Sequence, residues 1–111
     1  VFPLYHVVAD FAEFQGGEVV GVTSSHPMEL GGIVLCHGDR GCLLVANYTG
    51  SPQTVKLEGF PPIARVRELS GSNARRAMTE PERWPHEWNA PTFPEDLPPY
   101  AYMRFELGGP L

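Results

Sequence analysis

The sequence predicts an all-β fold, an antiparallel two-sheet β-sandwich of about seven strands preceded by one short N-terminal helix. Three observations predict it. From Glu18 onward apolar and polar residues alternate with a period near two, and β-branched residues are frequent. Gly and Pro, 12 of each, stand singly or in pairs between the apolar segments, where they punctuate turns. Those turns recur at roughly eight to twelve residues with no second helix between them. A small closed barrel satisfies the same pattern and is the runner-up.

The helix is read over Phe2 to Gln15. Leu4, Val8, Phe11 and Ala12 fall on one helical face, Pro3 suits a first turn, and Gly16-Gly17 supply a stop. Its aromatics, Phe2, Tyr5, Phe11 and Phe14, are many for so short an element and call for a large packing partner. Glu18 to Thr23 makes the first strand. Glu29 to His37 and Gly41 to Tyr48 form a hairpin across a Gly-Asp-Arg-Gly turn, and consecutive apolar residues in both halves mark central strands covered on two sides. Further strands are read at Gln53 to Leu57 and Ile63 to Leu69. Ser70 to Pro99 is irregular, with a short strand at Arg75 to Met78. Tyr100 to Leu107 closes the fold, with Tyr100, Tyr102, Arg104 and Glu106 on one face and Ala101, Met103, Phe105 and Leu107 on the other.

At 111 residues there is room for one core. Residues 18–111 are assigned to the sandwich, and residues 1–17 to a helix or connector leaving a missing upstream domain. The apolar opening Val1-Phe2 reads as a longer polypeptide cut at that point. Eight Lys and Arg against 13 Asp and Glu give a net charge of −5, which repels phosphate backbones and anionic lipid. Nucleic acid and membrane therefore fall away as partners, and with no secretory leader the expected location is cytoplasmic.

Cys36 and Cys42 flank the hairpin turn. They oppose each other only if the loop holds three residues centred on Asp39; with Gly41 in the left-handed position the register shifts, and free, mostly buried thiols are expected. His6, His26, His37 and His86 lie on four different segments without metal-ligand spacing, so neither metal nor cofactor is expected. Ser24-Ser25-His26 sets hydroxyls beside an imidazole, but neighbours on an extended chain point to opposite faces, and a turn stiffened by Pro27 is the simpler reading. Glu80, Glu82, Glu87, Glu95 and Asp96 crowd the irregular region, where solvation accounts for them and no apolar wall separates their pKa values. No catalytic residue is assigned. Asn47-Tyr48-Thr49 fits a glycosylation pattern but is expected to end the hairpin strand.

Trp84-Pro85-His86-Glu87-Trp88 is the best local candidate for a sugar platform. Indole faces stack on pyranose C–H groups, and carboxylates accept hydroxyls; Trp84, His86, Glu87 and Trp88 are the candidate carbohydrate-binding residues. The favoured alternative is that both indoles cover an open end of the sandwich or seal a contact with another domain.

The opening Phe2-Pro3-Leu4-Tyr5-His6-Val7-Val8-Ala9-Asp10, the central Leu43-Leu44-Val45-Ala46-Asn47-Tyr48-Thr49 with Gln53-Thr54-Val55-Lys56-Leu57, and the closing Leu97-Pro98-Pro99-Tyr100-Ala101-Tyr102-Met103-Arg104-Phe105 resemble the C-terminal region of D-apionate lactonase-like proteins. More broadly they are similar to the β-sandwich that follows the TIM barrel in many glycoside hydrolases. The resemblance implies a non-catalytic accessory domain of a carbohydrate-processing hydrolase. Its catalytic groups would lie on an upstream barrel, and the opening helix would connect the two. Phe2, Tyr5, Phe11 and Phe14 would then pack between the domains. In isolation the chain would expose a large apolar patch around the helix, with a homo-oligomer as one outcome.

Overall fold

The computed structural model describes residues 4–109. The elements run α1 (Leu4–Ala12), β1 (Glu18–Gly21), β2 (Leu30–His37), β3 (Arg40–Asn47), β4 (Gln53–Val55), β5 (Ile63–Leu69), α2 (Ala74–Thr79), a 3₁₀ turn (Trp84–His86), β6 (Glu95–Leu97) and β7 (Tyr102–Leu107). Five strands form one antiparallel sheet in the order β1-β2-β3-β7-β5, and β4 pairs with β6 in a second. The seven-strand, two-sheet sandwich and its leading helix are as predicted.

β3 lies at the centre of the large sheet, and the alternation of its side chains divides the core. Leu43 and Val45 join Val34, Val66, Met103 and Phe105 on the face covered by Val55 and Leu97 of the small sheet. Cys42 and Leu44 join Leu35 and Phe14 on the opposite face, beneath α1. Both faces of β3 are thus dry, which is why its apolar residues run consecutively. Asn47, at the end of β3, ties the two layers together. Its side-chain amide donates to the carbonyls of Ser51, Leu97 and Pro98, and its Oδ1 accepts from the Thr49 amide and hydroxyl. The strand-ending role expected for Asn47 and Thr49 is the one observed.

The β2–β3 hairpin closes with two residues, Gly38-Asp39, between the paired His37 and Arg40. Gly38 carries the positive φ of 62°, not Gly41, and a left-handed first loop residue matches the twist of the flanking strands. The register sets Cys36 opposite Gly41 and Cys42 opposite Leu35, so the cysteines point to opposite faces and both are free. Gly17 permits the close passage from α1 into β1: a Cβ there would stand 2.1 Å from the Cys36 carbonyl oxygen.

The segment expected as a strand at Arg75 to Met78 is α2, so a second helix does interrupt the strands. Ala, Arg and Met are strong helix formers, and Ala77 finds its burial against Trp84 and Leu69 without a strand neighbour. β6 was not anticipated, because Glu-Asp-Leu has no strand signature of its own and forms only by pairing with β4. β4 ends at Val55 instead of Leu57, and β1 at Gly21 instead of Thr23. Beyond α2 the chain returns to the outer edge of β5, where Val66 and Asn89 exchange backbone hydrogen bonds of 2.9 and 2.8 Å. That pairing brings Trp88 over the sheet.

Candidate docking surface and polar cleft

α1 is seated the opposite way to an ordinary surface helix, which turns its apolar stripe toward its own core. His6 and Asp10 are the buried residues of the helix. The Asp10 carboxylate is 2% exposed, and its Oδ1 accepts from Arg67 on β5 and from Arg104 on β7, the latter at 2.6 Å. Its Oδ2 accepts from the Tyr102 hydroxyl at 2.7 Å. Arg104 also donates to Glu13 at 2.8 Å and to Glu106 at 2.7 Å, and Arg67 donates to the Pro85 carbonyl at 3.0 Å. His6 Nε2 lies 2.7 Å from the Ala77 carbonyl and so carries the proton it donates there; its ring rests 4.5 Å from that of Trp84.

The electrostatics follow from this packing. Burial, then Asp10 as neighbour and hydrogen-bond acceptor, pushes the Tyr102 hydroxyl well above its ordinary range. Burial alone would loosen the Arg104 proton, but Glu13, Asp10 and Glu106 outweigh it and bind that proton more tightly. For Glu13, burial pulls upward, and Arg104, Arg40 and Arg67 together bring the carboxyl below its ordinary value. Burial pushes the Cys42 thiol up to about 12. Buried charges of this kind cost much of their attraction in desolvation, so their main effect is geometric: the two guanidiniums meet the Asp10 carboxylate in one arrangement, even though Arg67 Nε is buried there without a hydrogen-bond partner among the described residues. The network fixes how α1 is rotated about its axis.

The consequence is an apolar face turned outward. Leu4 is 68% exposed, Tyr5 54%, Val8 58% and Phe11 42%. Of the aromatics assigned to interdomain packing, Tyr5 and Phe11 lie on this face. Phe14 does not: it is 5% exposed and packs on Leu35, Cys42 and Leu44 of its own domain, with the Arg104 guanidinium 5.6 Å from its ring centroid. Two residues beyond α1 and one turn after Asp10, its side chain continues the sheet-facing side that His6 and Asp10 occupy. Phe2 lies outside the described residues.

A polar cleft of about 370 Å³ opens beside α2, walled by Glu68, Asn73, Arg76, Trp84, Glu87, Trp88 and Asn89. Three of the four residues singled out for sugar binding are among its walls. Trp84, however, is 1% exposed, wedged between His6 and the Arg67 guanidinium, and offers no stacking face. Trp88 is half-buried, with the guanidinium of Arg65 3.9 Å and that of Arg67 4.8 Å from its ring centroid. His86 is exposed and is not one of the walls. Arg76 directs Nε and Nη2 at Oε2 of Glu87, at 2.9 and 2.6 Å. Glu68 Oε2 accepts from the Ser70 hydroxyl at 2.6 Å, and Asn73 bridges the Ser70 amide and the Glu68 carbonyl. Glu68, Asn73, Arg76 and Asn89 had no signal in the sequence, because turns and not spacing bring them together. A larger recess of about 470 Å³ near Phe60 and Phe93 is mostly apolar, with Lys56 the ionisable residue of its lining.

The remaining candidates stay apart. Ser25 Oγ and His26 Nδ1 do meet at 3.0 Å, contrary to the geometry of an extended chain, because a bend carries both residues; the pair is exposed. Glu80 pairs with Arg83, Glu95 accepts from the Thr92 amide, and Asp96 accepts from Thr54. Among the described residues no group of three or more His, Cys, Asp or Glu could hold a metal ion, and no helix is long and apolar enough to cross a membrane.

No curated protein matches the chain. Residues 32–105, from within β2 to within β7, match the family described as D-apionate lactonase, C-terminal immunoglobulin-like domain; the match includes the cleft and leaves out α1 and β1. With well over half of its length matched, on a fold of two antiparallel sheets, the chain belongs to the family of C-terminal immunoglobulin-like domains of D-apionate lactonase.

Proposed function

We propose that this domain is a non-catalytic accessory module that docks onto the upstream catalytic domain of a lactone hydrolase, a TIM barrel in the simplest case, and stabilises it. The observation that carries the proposal is the inverted seating of α1. A helix with Asp10 ion-paired inward and Leu4, Tyr5, Val8 and Phe11 outward keeps an apolar ridge for another surface to cover. With roughly half of each side chain exposed, covering the ridge contributes about 1 kcal/mol per residue. The test is Val8→Asp with Phe11→Asp in the full-length protein. Faster thermal inactivation of lactone hydrolysis is expected, while the urea midpoint of the isolated domain falls little, because about half of each side chain already faces water. Unchanged inactivation would overturn the proposal.

One observation favours a second reading, carbohydrate binding by the domain itself. The cleft sets carboxylates, amides and the Trp88 indole around one space of a size suited to a small ligand. With Trp84 buried, the binding would rest on Trp88, Glu87 and their neighbours in the cleft, and not on a pair of exposed indoles.

A further inference from the structure

We propose that the polar cleft selects an uncharged polyhydroxylated ring, a glycoside or lactone, and rejects the carboxylate into which a lactone opens; this deepens the second reading and rests on it. The charge of the lining is the starting point. Glu68 and Glu87 face a cleft whose one cation, Arg76, is already committed to Glu87. The ionisable walls therefore sum to one negative charge, and Arg76 has its Nε and Nη2 engaged.

The hydrogen-bonding inventory points the same way. Arg76 occupies Oε2 of Glu87 and Ser70 occupies Oε2 of Glu68, while Oε1 of each carboxylate has no hydrogen-bond partner among the described residues. These oxygens accept hydroxyl protons and have none to give, so a sugar hydroxyl satisfies them and a ligand carboxylate does not. The Asn89 side-chain amide, also without a partner among the described residues, can donate and accept to a hydroxyl of the same ring. Trp88, half-buried with the Arg65 guanidinium against its ring, supplies an apolar border for C–H groups. A carboxylate ligand would meet the net negative charge of the walls in a partly desolvated space, where repulsion is stronger than in bulk water; Arg65, whose guanidinium lies 3.9 Å from the Trp88 ring centroid, is not one of those walls.

The two tryptophans of the chain both wall the cleft, so indole emission reports on this site directly. The domain is titrated with methyl β-D-glucopyranoside and with methyl β-D-glucopyranosiduronate, rings that differ by a carboxylate in place of a hydroxymethyl group. The neutral ring is expected to bind at least tenfold more tightly, and the gap to narrow as salt screens the repulsion. Glu87→Gln removes one negative charge and frees the Arg76 fork, so it is expected to improve uronate binding severalfold relative to the neutral ring. Glu68→Gln, which can keep the Ser70 contact, provides a second variant with the same expected direction. Uronate binding as tight as that of the neutral ring in the native domain overturns the selectivity and leaves the second reading standing. No response to either ring at millimolar concentration overturns both. The docking proposal, tested through α1, is independent of each outcome.

Discussion

Replacing Asp10 by Ala tests the claim that α1 is held by buried charge. The carboxylate accepts three hydrogen bonds, from Arg67, Arg104 and Tyr102. The consequences for the three donors differ. Arg104 retains Glu13 and Glu106, whereas among the described residues Arg67 retains only the Pro85 carbonyl and the tryptophan rings for a guanidinium that is 4% exposed. Breaking a buried ion pair from one side costs about 3 to 5 kcal/mol, and a stranded hydroxyl adds about 1 kcal/mol. We therefore expect Asp10→Ala to lose about 4 to 6 kcal/mol, a large share of the roughly 5 to 15 kcal/mol typical of a domain. The assay is urea denaturation followed by circular dichroism at neutral pH. The double variant Asp10→Ala, Arg67→Met should recover at least about 1 kcal/mol relative to the sum of its single variants, because the second change removes the unpaired charge. A loss below about 1 kcal/mol for Asp10→Ala, or strict additivity in the double variant, would refute the reasoning.

Two further predictions follow from the same environment. The Glu13 carboxyl has a folded pKa below its ordinary 4.5, so its contribution to stability is present above pH 4.5 and is lost as the pH falls through the folded value. The stability difference between the native chain and Glu13→Gln, read from urea midpoints, should be constant from pH 7 to about 5 and shrink below 4.5; a difference independent of pH would contradict the assignment. Cys42, fully buried with its thiol pushed up to about 12, should resist iodoacetamide at pH 8 in the native domain while half-buried Cys36 reacts, and both should react in urea. Peptide mass spectrometry distinguishes the sites, and native labelling of Cys42 at the rate of Cys36 would count against the packing.

The legible parts of this molecule were those in which a local pattern and its burial coincide. The consecutive apolar residues of β2 and β3, the alternation along β7 and the turn residues between strands carried enough information to read the sandwich. α2 was misread because Arg75 to Met78 lies in a Pro-rich stretch where a short helix and a short strand look alike, and β6 was missed because three residues hold no periodicity. Trp84 and Trp88 were conspicuous as residue types, but the sequence did not show that one would be buried beneath His6 and the other left beside a cleft.

The class of fold and the apolar stripe on the leading helix are legible in the sequence, because each rests on neighbours a few residues apart; the freedom of the two thiols is set by the hairpin register, which turns them to opposite faces. Which way that stripe faces is set by long-range packing. The choice is made by Arg67 and Arg104, whose partner Asp10 lies 57 and 94 residues away along the chain. An ion pair across such separations leaves no periodic trace, and its desolvated charges tolerate one rotation of the helix.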